Sequence, residues 1–266
     1  MNILIVDGNE KEASDRYIEI GMDTQYEVYS KVIKSLSNNK FNITTVHPAF
    51  KNQYLPHGVS LDDFDGIVWT GSLLNIYDMS PSIVSQIELA KTLFKMKNKI
   101  FGSCWGLHVL VTAAGGKIRK NPNGLEAVIA KKININEAGN AHNLYKGKKK
   151  IFDAFCWHYD DTENLPQDAV ILSSNHMSAV QSLYFNKNNS NIWAVQYHPE
   201  FDPIWIGGLM KQREAILLNH KAYESKSAFD EDKDFFLNFK DPKYKNKIKE
   251  FDDLVNVKSH TLELAN

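Results

Sequence analysis

A cysteine, a histidine and a glutamate stand where this 266-residue chain could assemble a nucleophile, a base and a group that orients the base. Cys104 follows the short apolar run Ile100-Phe101 and lies among small residues, in Gly102-Ser103-Cys104-Trp105-Gly106. A thiol at such a strand-to-helix turn is expected to be exposed, and the helix N-terminus favours its thiolate. This pattern predicts a cysteine nucleophile, and Cys104 is one of only two cysteines in the chain.

His198 is distinguished among the nine histidines by its position after an apolar segment, residues 192–196, that predicts a buried strand. Pro199 stiffens the exit from that strand, and Glu200 lies two residues beyond the histidine. A cysteine nucleophile needs a base, and the base needs an orienting group. We predict that His198 takes the thiol proton and returns it to a leaving amine, while Glu200 fixes the imidazole tautomer and stabilises its cation.

The oxyanion of a tetrahedral intermediate would need hydrogen-bond donors at the same place. Backbone N–H groups near Gly71 and Ser72 and at Trp105 are predicted to supply them, because both segments follow strands that end at one sheet edge. A cysteine in an apolar context is by itself more often a small core residue, and Cys156 is interpreted in that way. For Cys104, the glycine-rich turn and the downstream His-Pro-Glu sequence favour a catalytic role instead.

The elements that would position these residues alternate between short buried strands and helices. Apolar patterns predict strands over residues 3–6, 41–46, 64–69 and 99–101, and helices over residues 26–36, 82–96, 107–114 and 204–218. This alternation predicts an α/β fold with three layers: a mainly parallel central sheet with helices on both faces. Residues 115–195 are richer in strand pairs and predict an antiparallel flank of the sheet.

The chain is predicted to divide at about residue 220. Residues 1–220 would form the α/β domain, and residues 221–266 a charged C-terminal extension with interspersed apolar residues. We interpret this extension as helical, serving as an appendage or as an element that docks a partner.

Composition and net charge limit the classes of function that are expected for this chain. With 31 basic and 32 acidic residues the net charge is −1, so no global field favours nucleic acid or a membrane surface. Two cysteines cannot form a disulfide framework, which favours a reducing cytoplasm, and neither a signal peptide nor a membrane span is predicted. Three further histidines are too scattered for a metal site: His142, His158 and His176.

The two motifs together resemble those of the class I, or triad-type, glutamine amidotransferases. Gly102–Gly106 resembles that family's nucleophile elbow, Val195–Glu200 its His-Pro-Glu signature, and Thr70-Gly71-Ser72 its oxyanion turn. The resemblance covers about residues 1–210 and is closest to the amidotransferase domain of GMP synthases and its stand-alone relatives. It implies a flavodoxin-like fold, and it implies that His158, Tyr159 and Asp160 line the substrate pocket.

By this resemblance, the reaction is hydrolysis of the glutamine side-chain amide through a γ-glutamyl thioester on Cys104. Glutamate would be released and ammonia delivered to a separate synthetase subunit, with no metal or organic cofactor required. The chain departs from the family at His108, where the family usually has a glutamine that helps to hold the substrate.

The departure at His108 leaves other functions open, because an imidazole is stiffer than a glutamine side chain and titrates near neutrality. His108 is a candidate substrate-binding residue, and one alternative is a self-sufficient hydrolase or peptidase acting on another γ-glutamyl compound. A second alternative is a catalytically silent regulatory subunit.

Overall fold

The computed structural model describes residues 1–50 and 55–266, and its elements alternate as the sequence predicts over the first half of the chain. The strands are β1 (Asn2–Val6), β2 (Asn42–Val46), β3 (Gly66–Trp69), β4 (Lys99–Ser103), β5 (Lys117–Lys120), β6 (Glu126–Ile135), β7 (Ile151–His158), β8 (Asp160–Asn164), β9 (Val170–Ser174), β10 (Ser182–Lys187) and β11 (Ser190–Val195). The helices are α1 (Lys11–Glu19), α2 (Gln25–Leu36), α3 (Pro81–Lys95), α4 (Trp105–Ala113), α5 (Glu137–Asn140), α6 (Pro203–Gln212), α7 (Glu214–Asn219), α8 (Lys226–Leu237), α9 (Lys245–Glu250), α10 (Asp252–Val255), α11 (Val257–His260) and α12 (Leu262–Ala265).

Nine of the strands form one sheet, in the order β2-β1-β3-β4-β11-β10-β9-β6-β7. The five strands from β2 to β11 run parallel to one another, and the remaining four pair in antiparallel fashion. Strands β5 and β8 form a separate antiparallel pair. The predicted α/β fold, with a mainly parallel central sheet and an antiparallel flank, is confirmed.

Helices cover both faces of the parallel half, because alternate residues of a strand point to opposite sides. Leu4 and Val6 of β1 pack in a cluster with buried residues of α3 and α4. Ile3 and Ile5 of the same strand pack on the other face, against α2. The sheet is therefore the middle of three layers.

Helix α4 lies unusually close to the sheet, and two glycines make this possible. A Cβ on Gly102 would lie 2.8 Å from the carbonyl carbon of Gly106. A Cβ on Gly106 would lie 2.8 Å from the carbonyl oxygen of Trp69, at the end of β3. The small residues around Cys104 thus let the first turn of α4 pack directly on the ends of two strands. The apolar pattern predicted that this helix begins at Leu107. In the structure α4 begins two residues earlier, at Trp105.

The C-terminal segment is helical and is part of the packed core. Phe229, Phe235 and Phe236 of α8 are fully buried in one cluster with Phe155 of β7 and Trp205 of α6. The single helix predicted over residues 204–218 is instead two helices, because the backbone leaves helical geometry between α6 and α7. No helix in the described ranges has both the length and the apolar character that crossing a membrane requires.

A buried ion pair joins helix α12 to the segment that precedes β7. The Lys148 ammonium lies 2.9 Å from Glu263, and both side chains are almost fully buried. Tyr197, which immediately precedes His198, donates a hydrogen bond of 2.7 Å to the same carboxylate. The end of the chain is therefore in contact with the segment that carries the predicted base.

Candidate active site

Three neighbouring parallel strands, β3, β4 and β11, bring the predicted reactive segments to one edge of the sheet. Ser103 of β4 lies opposite Val195 of β11, so the chain leaves both strands at the same level. The segments that begin at Thr70, Cys104 and His198 follow these strand ends. Residues that are far apart in the sequence are adjacent here because parallel strands share a carboxyl edge.

Cys104 occupies the turn between β4 and α4 in a backbone conformation that is rare for a residue with a side chain. Its φ is 50° and its ψ is −101°. The backbone N–H of Cys104 donates to the carbonyl of Val195 at 2.8 Å, which fixes the turn against β11. Non-glycine residues in such conformations cluster at functional sites, where the surrounding structure compensates for the strain.

The Cys104 thiol is buried, so the prediction of an exposed thiol was wrong. The residue is 5% exposed, and its sulfur donates a hydrogen bond to the carbonyl of Trp157 at 3.4 Å. Burial raises the pKa of the Cys104 thiol, and the negative charge of Glu200 raises it further. The backbone N–H of Trp105 lowers it, but this contribution is smaller than the cost of removing the thiolate from water.

Three contacts fix the position of His198, two through its imidazole and one through its backbone. Its Nδ1–H donates to Oε1 of Glu200 at 2.7 Å. Its ring stacks on Phe201 with the centroids 3.9 Å apart, and its backbone N–H donates to the carbonyl of Phe155 at 2.7 Å. With the proton on Nδ1, the neutral ring presents Nε2 as an acceptor, which is the form a general base requires.

Glu200 is linked to the elbow by residues that the sequence reasoning missed. Ser103, the neighbour of Cys104, donates to Oε1 of Glu200 at 3.1 Å, and Tyr29 of α2 donates to the Ser103 hydroxyl at 2.6 Å. Ser103 lies inside the recognised motif and could have been examined from the sequence. Tyr29 has no sequence signal, because only the packing of α2 on the sheet brings it there.

The predicted oxyanion residues border the thiol and the imidazole. A Cβ on Gly71 would lie 2.7 Å from Cε1 of His198 and 2.6 Å from Oε1 of Gln25, so only glycine fits there. The backbone N–H of Trp105 faces the sulfur, which is why it lowers the pKa of Cys104. Ser72 contributes to the wall of the cavity above the thiol.

A cavity of about 220 Å³ joins residues that the sequence analysis selected from separate segments. Six of them line it: Ser72, Cys104, His108, His158, Tyr159 and Asp160. Pockets for drug-sized ligands usually range from about 300 to 1,000 Å³, so this one suits a ligand the size of an amino acid.

His108 lies in the wall of the cavity and is neutral. It is 3% exposed, and its ring nitrogen Nε2 donates to Oε1 of Gln196 at 3.0 Å. Burial lowers the pKa of His108 to about 3, and the nearby His158 contributes to the fall. The imidazole therefore stays uncharged at neutral pH.

His158 and Asp160 are two ionisable residues in the wall of the same cavity. Both ring nitrogens of His158 lie within hydrogen-bond distance of oxygen atoms, namely the carbonyl of Asp160 at 2.9 Å and Oε2 of Glu126 at 2.8 Å. Burial would raise the pKa of Glu126, but the hydrogen bond from His158 holds it below its usual range. Burial raises the pKa of Asp160, opposed by a hydrogen bond from the Tyr77 hydroxyl.

Glu126 and Tyr77 were not selected from the sequence. Glu126 lies directly opposite His158 in the β6–β7 pairing. That register is not visible in the sequence, and neither residue stands in a recognisable motif. As for metals, residues 1–50 and 55–266 contain no group of three or more His, Cys, Asp or Glu side chains placed to hold an ion.

Comparisons with known proteins agree with this architecture. A γ-glutamyl-L-1-hydroxyisopropylamide hydrolase from a Pseudomonas species is 28% identical, over 85% of this chain and 76% of its own length. The glutamine-hydrolysing GMP synthase of Plasmodium falciparum is 25% identical over 76% of this chain, which matches 40% of that longer protein.

The fold has solved counterparts as well. The crystal structure of a glutamine amidotransferase from Thermotoga maritima superposes with a TM-score of 0.69, at 15% identity, and covers 100% of this chain and 97% of the other. The family profile "Glutamine amidotransferase class-I" matches residues 22–212, which include all the residues described above that line the cavity. The chain belongs to the class I glutamine amidotransferase family.

Proposed function

We propose that this chain is an amide hydrolase that cleaves γ-glutamyl compounds through a thioester on Cys104. The observation that carries the proposal is the single cavity in which Cys104, the oxyanion turn and the residues 108 and 158–160 converge. Cys104 and the oxyanion turn were selected for their chemistry and the others through the family resemblance, and they come from three separate segments of the chain.

The first half of the reaction forms the thioester. The S–H bond of Cys104 turns from the Trp157 carbonyl toward Nε2 of His198, which accepts the proton as the sulfur attacks the amide carbonyl carbon. Glu200 stabilises the resulting imidazolium through its 2.7 Å hydrogen bond. Because burial raises the pKa of the resting thiol, the proton is transferred to His198 as the sulfur attacks and not before.

The oxyanion that forms is stabilised by the backbone N–H groups at Trp105 and at the Gly71-Ser72 turn. Collapse of the tetrahedral intermediate breaks the carbon–nitrogen bond, and the leaving amine takes the proton from His198. Water, deprotonated by His198, then attacks the thioester and releases glutamate and the thiol. No metal or organic cofactor takes part in these steps.

The charges of the cavity suit the amino-acid end of a γ-glutamyl group. That group carries an α-ammonium and an α-carboxylate, and the cavity offers the Asp160 carboxylate as a partner for the ammonium. A substrate that lacks the ammonium would not compensate the negative charge of the buried Asp160 carboxylate.

Two candidate functions differ in the leaving group that is released from the γ-glutamyl compound. His108 is a rigid, neutral ring in the cavity wall where the family usually has a glutamine, and the Pseudomonas relative is named for a substituted γ-glutamyl amide. We therefore favour a self-sufficient hydrolase of γ-glutamyl amides or peptides. The second candidate is an amidotransferase subunit that supplies ammonia to a synthetase, which the match to GMP synthase favours. Action in the cytoplasm is part of both proposals.

A substrate panel tests the proposal. Release of glutamate would be measured from glutamine, from γ-glutamyl alkylamides and from γ-glutamyl dipeptides, for the wild type and three variants. Cys104→Ala is the blank, His108→Gln probes leaving-group preference, and Cys156→Ala is the matched control for the other buried cysteine. We expect alkylamide hydrolysis in the wild type and in Cys156→Ala, none in Cys104→Ala, and a shift toward glutamine in His108→Gln.

Two results would contradict parts of this proposal. Glutamine turnover faster than that of every other compound would favour the amidotransferase subunit. No turnover of any compound, together with a Cys104 thiol that γ-glutamyl electrophiles do not label, would show a silent binding protein.

A further inference from the structure

A second cavity, also of about 220 Å³, borders Glu200 and shares no lining residue with the pocket at Cys104. Its walls come from α2, from the segment that follows Glu200, and from α10 and α11 of the C-terminal segment. Most of the wall is apolar or aromatic, and includes Val28, Phe201, Trp205, Leu254 and Val257. We call it the Glu200 cavity.

Two buried polar side chains of the Glu200 cavity lack hydrogen-bond partners among the residues that the structure describes. They are Glu200, through Oε2, and His260, through both ring nitrogens. The residues are 1% and 3% exposed. Buried polar groups without partners destabilise a fold, so such a pair in a cavity indicates a ligand that completes their bonding.

The charges around the Glu200 cavity favour a cation. Glu200, Asp202 and Asp23 contribute three carboxylates, and Lys31, the cavity's one ammonium among the described lining residues, already pairs with Asp23. Burial and the nearby Lys148 lower the pKa of His260 to about 3, and the backbone of Phe201 and of His198 opposes this shift only in part. The ring is therefore neutral, and a neutral imidazole has one nitrogen that accepts a hydrogen bond. The stacked rings of Phe201 and Trp205 add faces that attract cations and apolar groups.

We propose that the Glu200 cavity is a regulatory site for a primary ammonium compound with an aromatic or alkyl body. The ammonium donates hydrogen bonds to Oε2 of Glu200 and to a ring nitrogen of His260, and the body packs on Phe201 and Trp205. Its effect on activity rests on the proposed function, since Glu200 is there the group that stabilises the His198 cation. An ammonium bound to Glu200 weakens that stabilisation, so kcat falls while substrate still binds.

Isothermal titration calorimetry of the inactive Cys104→Ala variant with phenethylammonium measures binding in the absence of hydrolysis. Phenethyl alcohol and 3-phenylpropionate are the neutral and anionic comparisons of similar shape. We expect saturable one-to-one binding of the ammonium in the low millimolar range, and binding at least about tenfold weaker for the other two compounds. No saturable binding, or equal binding of all three compounds, would overturn the proposal.

Variants locate the site. His260→Phe removes the proposed hydrogen-bond acceptor for the ammonium. Val257→Trp places a large side chain at the entrance of the Glu200 cavity. Because Val257 is 62% exposed, this second variant is expected to fold normally. Either should weaken phenethylammonium binding at least about tenfold. His176→Phe, at an exposed histidine elsewhere, is the matched control and should bind normally. Binding that survives both cavity variants but is lost in Asp160→Asn would place the amine in the pocket at Cys104 and refute the assignment.

Kinetics with the wild type test the regulatory effect. Saturating phenethylammonium should lower kcat about tenfold and leave KM unchanged. Competitive inhibition would refute regulation through Glu200. If the wild type hydrolyses no γ-glutamyl compound, the proposed function fails, but the calorimetric result still decides whether the Glu200 cavity binds amines.

Discussion

Single residues of the site are each fixed by partners on other elements. Glu200 receives hydrogen bonds from His198 and Ser103, and Ser103 receives one from Tyr29. This series of hydrogen bonds links His198 to helix α2 through the Glu200 carboxylate and through Ser103, the neighbour of the predicted nucleophile. A displacement of any member would therefore change the position of the others.

Asp160→Asn tests whether the cavity recognises the α-ammonium of a γ-glutamyl group. The substitution keeps the shape but removes the negative charge, so we expect KM to rise about 10- to 100-fold and kcat to change less. Steady-state kinetics on a γ-glutamyl alkylamide measure both. Glu163→Gln on the same strand is the control, because that carboxylate pairs with Lys117 near the surface. An unchanged KM in Asp160→Asn would exclude this role.

Which site residues were predictable depends on whether their signal is local. Cys104 and His198 stand in short motifs, where the turn and its neighbours are adjacent in the sequence. Tyr29 and Glu126 take part through pairings across the fold, and their sequence surroundings are those of ordinary helix and strand residues. The burial of Cys104 was not predictable for the same reason, since Trp157 covers the thiol from a distant strand.

At the scale of elements, the close packing of α4 on β3 and β4 determines where the thiol lies. The strand-to-helix turn was predicted from glycines and apolar runs, whereas the antiparallel flank was predicted only in outline. Strands β5 and β8 lack the continuous apolar runs of the buried parallel strands, and they pair with each other although they are distant in the sequence.

Gly106→Ala tests this packing. The added methyl would meet the Trp69 carbonyl oxygen at 2.8 Å, and backbone cannot move aside as a flexible side chain can. We expect a loss of about 1–3 kcal/mol in the free energy of unfolding, with activity reduced more than in a surface variant of equal stability. Urea unfolding and the γ-glutamyl assay measure the two effects. Thr112→Ala on the same helix is the control, and a Gly106→Ala protein as stable as that control would contradict the packing argument.

At the scale of the whole molecule, the C-terminal segment and the α/β layers share one core. Glu263 of α12 is the clearest link, because its carboxylate bonds both Lys148 and Tyr197. The sequence suggested a helical extension from residue 221, but it did not show that Phe229, Phe235 and Phe236 would pack against the sheet.

Glu263→Gln should destabilise the fold by about 3–5 kcal/mol, because it leaves the Lys148 charge buried without a counter-ion. Urea unfolding measures the change, and Glu250→Gln on the exposed part of α9 is the control. Adding Lys148→Met to Glu263→Gln removes the uncompensated charge and should restore part of the loss. If the double variant is no more stable than the single one, buried charge is not the cause.

Acid should destabilise the protein steeply between about pH 6.5 and pH 3. Burial lowers the pKa of both His108 and His260 from 6.5 to about 3 in the folded state. The unfolded chain therefore binds more protons in this window, and the stability present above pH 6.5 is lost as pH falls, by about 1.4 kcal/mol per pH unit for each histidine. Urea unfolding across this range should show a shallower slope for His108→Gln, whereas His176→Gln at an exposed site should match the wild type.

The backbone of Cys104 has a consequence for the evolution and engineering of this chain. At a φ of 50° and a ψ of −101°, any side chain is strained, so Cys104→Gly should be more stable than Cys104→Ala by about 1–2 kcal/mol. Thermal unfolding of the two inactive variants measures this difference, which is the reverse of the usual order for alanine and glycine. Selection for stability alone would then replace the cysteine with glycine, so a cysteine at this turn is what the proposed role of Cys104 as nucleophile leads us to expect.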